Sequence, residues 1–172
     1  MARYTLAELN RMDEEAFTEA LGGIFEHSPW VARGAWPARP FDSVEELHRA
    51  MVRVVRSAGA EKVLELARAH PDLAGSAWLS GRLSEDSMRE QAGAGLGRIT
   101  PEQQEQFLDL NRRYRERFGF PFIVAVKGKT PEAILEAFAA RLHNSPDAEL
   151  ETALAEIEKI AYFRLMEGVL PA

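Results

Sequence analysis

The chain has 172 residues, 46% hydrophobic and 28% charged, which suits one soluble globular domain and excludes a disordered or fibrous chain. Its formal net charge is −6 and it has no basic tract interleaved with aromatics, so nucleic acid is not expected as a partner. With no cysteine, disulfide and thiolate chemistry are excluded and nothing calls for an oxidising compartment.

The N-terminal "MARYTLAELNRMDEEAF" lacks the apolar core of a signal peptide, and no run reaches transmembrane length. The C-terminal "EGVLPA" is not a peroxisomal address. A cytoplasmic protein with no membrane partner is expected. Thr5 with Glu8, and Ser43 with Glu46, have capping-box spacing and predict helix starts. Between positions 13 and 25, Phe17, Ala20, Leu21, Ile24 and Phe25 recur at helical spacing. Val44, Leu47, Met51, Val54 and Val55 repeat the pattern after Ser43.

"GAEKVLELARA" predicts a further helix, and Pro71 biases His70 out of helical geometry at its end. A helix C-terminus favours the cationic imidazole, and a restrained histidine titrating near neutrality suits proton transfer. Capping of the helix is the structural alternative for His70. Ser87, Glu90 and Gln91 stand at i, i+3 and i+4 and project from one side of the next helix, either towards a ligand or as a solvated polar face. The following "AGAGLG" has little bulk and permits close approach.

Thr100-Pro101, Thr130-Pro131 and Ser145-Pro146 each join a hydroxyl cap to proline at the first helical position. Gly119 reads as a helix stop. "FGFPFIVAV", residues 118–126, is aromatic, β-branched and broken by Pro121, so it reads as a buried extended segment without a strand partner. The predicted fold is all-α: a single-domain helical bundle over residues 1–172 with one extended connecting segment.

Arg164 follows Leu150, Leu154, Ile157 and Ala161 on one helical stripe, so it points inward and needs an anion. A structural salt bridge, or a stem snorkelling to the edge, would also explain it. Arg141, near Phe138, is read as structural at an exposed helix end. His27, His48 and His143 are read as surface or capping residues. His-Glu-x-x-His, phosphate-loop and dinucleotide signatures are missing from the sequence. His70, Asp72 and Glu90 match no known ligand spacing, so no metal is expected.

In order along the chain, "W-x-x-R-P-F" (36–41), "HPDLAG" (70–75), "SMREQAGAGL" (87–96), "LNRRYRERFGFPFIVAVKG" (110–128) and "EIEKIAYFRL" (156–165) are similar to the decarboxylases of 2-oxo-4-hydroxy-4-carboxy-5-ureidoimidazoline (OHCU). These lyases of purine metabolism catalyse the last step from urate to (S)-allantoin. The resemblance implies a helical, cofactor-free, homodimeric carboxy-lyase acting on OHCU. It implies His70 as the catalytic histidine, Glu90 as its carboxylate partner and Arg164 as the substrate-binding arginine. Pro71, the segment Ser87, Met88, Arg89, Glu90 and Gln91, and the backbone of Phe122, Ile123, Val124, Ala125 and Val126 correspond to ligand-contacting segments. Ser87 and Gln91 would hold the ureido arm, and the 122–126 backbone would read the ring amide.

Many relatives carry a basic residue after "HPDLAG", where Ser76, Ala77 and Trp78 stand here. A separate hydroxyisourate hydrolase is expected to supply the preceding step, giving a functional link between the two. The other readings are a catalytically silent helical binding module and an enzyme acting on a related ureido heterocycle.

Overall fold

Hydroxyl and carboxylate caps set most of the helix starts of this chain, as seen in a computed structural model that describes residues 3–75 and 83–171. The chain divides into two units, Met1–Ala69 with Glu158–Ala172, and His70–Ile157. Ser76, Ala77 and Trp78 lie outside the described residues. No helix among the described residues is long and apolar enough to cross a membrane.

The first unit opens with β1 (Tyr4–Thr5) and continues through α1 (Leu6–Arg11), α2 (Glu14–Leu21), α3 (Pro29–Ala35), a 3₁₀ turn (Trp36–Ala38), α4 (Val44–Arg56) and α5 (Ala60–Arg68). It closes with the last part of α9 (Pro146–Gly168) and with β2 (Val169–Leu170). β1 and β2 pair in parallel, Tyr4 opposite Val169 and Thr5 opposite Leu170, a two-residue ladder that the sequence pattern does not announce. Thr5 and Glu8 form the predicted capping box. Ser43 accepts from the Glu46 N–H, whereas the Glu46 carboxylate takes the N–H of Asp42 rather than that of the cap.

The helix expected to run to Phe25 stops at Leu21. The tandem Gly22-Gly23 ends it, because each glycine gives up about 1 kcal/mol of helix propensity. Ile24 and Phe25 are still buried, at 2% and 1% exposure, but from a turn.

The "W-x-x-R-P-F" stretch has a structural task. Arg39 Nη1 donates to the carbonyls of Asn10 (2.9 Å) and Met12 (2.8 Å), which satisfies groups that the end of α1 leaves unpaired. Its guanidinium lies 4.2 Å from the Trp36 ring centroid, and Trp36 Nε1 donates to Met12 O at 3.0 Å.

In the second unit α6 (Glu85–Gly93), a 3₁₀ turn (Leu96–Arg98), α7 (Pro101–Phe118) and α8 (Pro131–Arg141) precede the first part of α9. Thr100, Thr130 and Ser145 cap their helices through side-chain oxygens, and Gly119 closes α7 with φ +80°, a left-handed conformation suited to glycine. The core here is aromatic. Tyr114 packs at 4.6–5.9 Å from Phe118, Phe120, Phe122 and Phe138, and Phe122 stacks on Phe138 at 3.9 Å. Residues 121–126 form no regular element and every one is buried, in keeping with the extended connection read from the sequence.

Candidate functional site

His70 follows the cap of α5 and is 6% exposed. The loop it opens is held at successive residues by side chains of the same unit. Asp72 accepts from Arg115 Nε at 2.9 Å, and the Leu73 carbonyl accepts from buried Asn111 Nδ2 at 2.9 Å. The Ala74 N–H donates to Gln91 Oε1 at 2.9 Å, and its carbonyl accepts from Gln104 Nε2 at 2.6 Å. Gln91 Nε2 also donates to Asp72 O at 3.3 Å.

This grip has a physical reason. Ala74 has φ +49°, a left-handed conformation that costs an ordinary L-residue about 1–2 kcal/mol. Hydrogen bonds at both its amide and its carbonyl offset that cost. A Cβ on Gly75 would sit 2.6 Å from Asp72 Cβ, so the turn admits only glycine there. The motif "HPDLAG" is thus one histidine followed by five residues that fix its backbone, and strain held in this way is typical of functional loops.

Gln91 ties α6 to the histidine loop, placing the Ser-x-x-Glu-Gln helix beside "HPDLAG". Ser87 and Gln91 are buried, while Pro71, Met88 and Glu90 are half-buried. The task visible for the Gln91 carboxamide is to brace the loop, since both its polar atoms bond there. Arg89 is exposed and pairs with Asp86 on its own helix at 3.1 Å.

Along the extended segment, Phe122, Ile123, Val124, Ala125 and Val126 are all buried. The Ala125 N–H donates to the buried Glu156 Oε1 at 3.1 Å, so it is not among amides left open for a ligand. Arg141 has the structural role expected of it, an ion pair with Glu149, but not the expected exposure. Its side chain is 12% exposed, and Nη1 donates to Ile123 O at 2.6 Å.

Arg164 belongs to the first unit and is 1% exposed, as its place on the apolar stripe of α9 predicts. Nη2 donates to Glu26 Oε2 at 2.8 Å and Nη1 to Gly23 O at 3.0 Å. The required anion within the protein is Glu26, itself 2% exposed. Of the remaining histidines, His27 and His143 are exposed, as expected. His48 is half-buried instead, with Nε2 at 2.9 Å from Glu158 O and its ring edge-on to Tyr162.

Residues 10–166 match the family model of OHCU decarboxylase. The chain belongs to the OHCU decarboxylase family. The OHCU decarboxylase of Haloferax volcanii is 47% identical over 167 residues, which cover 97% of each chain. The uric acid degradation bifunctional protein PucL of Bacillus subtilis is 46% identical over 164 residues, 95% of this chain but 32% of PucL. Among solved structures, a crystal structure of (S)-allantoin synthase matches with a TM-score of 0.77 at 30% identity, over 96% of this chain and 54% of that one.

Inside this OHCU decarboxylase family member, several positioning residues escape the sequence pattern. Gln104, Asn111 and Arg115 stand at i, i+7 and i+11 on α7, so their common face was visible as a periodicity but not as a contact with residues 72–74. Glu26 lies in a turn outside any helical stripe and carried no such signal.

Proposed function

We propose that this chain decarboxylates OHCU to (S)-allantoin in urate catabolism, as a cofactor-independent carboxy-lyase. The observation that carries the reading is the buried His70 at the head of a strained loop that Gln91, Gln104, Asn111 and Arg115 hold in place. Such a backbone keeps the imidazole in one position through a turnover, which a proton-transfer group requires.

The substrate carries its carboxylate on a ring carbon that also bears a hydroxyl, beside an unsaturated carbon–nitrogen unit. When the carbon–carboxylate bond breaks, its electron pair moves into that unit, so the substrate is its own electron sink. What the protein must add is orientation, charge stabilisation and a proton delivered to one face. His70 transfers the proton. Glu90 orients the imidazole and bonds the substrate. Arg164, held by Glu26, binds an oxygen of the substrate. Ser87 contacts the ureido arm, and backbone groups of residues 122–126 read the ring amide edge.

Residues 1–172 act as one OHCU decarboxylase-like domain, in a cytoplasmic homodimer functionally linked to a hydroxyisourate hydrolase. The test is to generate OHCU enzymatically from urate and follow the optical activity of the product. Rapid formation of (S)-allantoin is expected. Racemic allantoin at the uncatalysed rate would overturn the reading.

A further inference from the structure

The 122–126 backbone has no strand partner among the described residues, so side chains decide which way its peptide groups face. Arg141 Nη1 takes the carbonyl of Ile123 at 2.6 Å, and Glu156 Oε1 takes the N–H of Ala125 at 3.1 Å. A trans peptide is planar, with its C=O and N–H on opposite edges. Turning the Ile123 carbonyl to Arg141 therefore turns the Val124 N–H the other way. Turning the Ala125 N–H to Glu156 does the same for the Val124 carbonyl. Val124 then presents a donor and an acceptor side by side, the pattern that complements an amide edge.

The guanidinium is itself held. Its Nε donates to Glu149 Oε1 at 2.6 Å, and its carbon lies 4.4 Å from the Phe122 ring centroid. Glu149 is 0% exposed and also accepts from Tyr114 Oη (2.6 Å) and Asn144 Nδ2 (2.9 Å). A carboxylate with so many donors has one orientation, and it gives the arginine one orientation too.

We propose that Arg141 is a positioning residue for decarboxylation, locked by Glu149 so that it sets the direction of the Ile123–Val124 peptide against which the substrate ring docks. The proposal rests on the reading of residues 122–126 as substrate-contacting. Lysine cannot replace Arg141 in this task, because a point charge cannot hold Glu149 and the Ile123 carbonyl through a rigid fork.

The test is steady-state kinetics of Arg141→Lys on freshly generated OHCU, beside its thermal unfolding. Loss of one charge-assisted hydrogen bond is expected to raise KM about tenfold while kcat stays within about threefold. An unchanged KM in the folded variant overturns the clamp, whatever happens to its melting temperature. If Arg141→Lys does not fold, Tyr114→Phe removes one donor from Glu149 and leaves the guanidinium in place. A KM raised about threefold with preserved kcat then supports the clamp, and an unchanged KM overturns it. Wild-type protein inert towards OHCU would sink the functional reading instead, a result distinct from either.

Discussion

Arg164 and Glu26 form a buried ion pair, with 2.8 Å between Nη2 and Oε2 and each side chain 2% exposed. Residues 138 positions apart in sequence thus neutralise one another inside the first unit. Removing one member of such a pair leaves an uncompensated charge out of water, which costs about 3–5 kcal/mol. Glu26→Ala is therefore expected to lower stability by that amount in urea unfolding, and activity on OHCU should fall with it as the guanidinium loses its anchor. A midpoint equal to wild type would show that the pair holds nothing.

Gln91 and Ala74 give a second test, this time of the histidine loop. Gln91→Ala leaves the Ala74 N–H without its acceptor beneath a backbone already at φ +49°. An orphaned buried amide costs about 1–3 kcal/mol, so the urea midpoint should fall accordingly. Because His70 opens this loop, kcat is expected to drop about tenfold through misplacement of the imidazole. Lower stability with wild-type kcat would separate the brace from the chemistry.

Much of the fold was legible because its signals are local. Thr5, Ser43, Thr100, Thr130 and Ser145 each cap a helix at the position that residue chemistry predicts. Periodicity placed Arg164 inside, and Pro121 with its aromatic neighbours marked the extended segment. What escaped depends on contacts distant in sequence. Nothing in "EH" at 26–27 announces a partner for Arg164, and Arg141 looked like an ordinary basic residue in the last turn of its helix. Its burial follows from Glu149, eight residues on, at the start of α9, where a carboxylate usually serves the helix dipole rather than a buried network. The two-residue β1–β2 ladder was illegible for a related reason, since a pairing that short has no alternation to read.

His70 carries the sharpest prediction for the reaction. A general acid–base group contributes about 10²–10⁴ in rate. His70→Ala is expected to lose that much turnover on OHCU while retaining helical circular dichroism, because Gln91, Gln104 and Asn111 grip the loop through residues 72–74 and not through the imidazole. Near-wild-type turnover in this variant would remove His70 from the mechanism.

Tyr114 offers a pH test of the network behind the extended segment. Burial raises its phenol pKa well above the ordinary value, and the hydrogen bond to Glu149 raises it further. The sign follows from proton linkage. Above about pH 10 the unfolded chain releases this proton and the folded chain keeps it, so stability is fully present below that pH and falls as pH rises. With three tyrosines in the chain, absorbance near 295 nm should show at least one phenol still protonated in folded protein at pH 11. Over the same range, wild-type stability in urea should fall more steeply than that of Tyr114→Phe, by up to about 1.4 kcal/mol per pH unit. Ionisation of all three phenols around pH 10 in protein that stays folded would contradict the buried Tyr114–Glu149 bond.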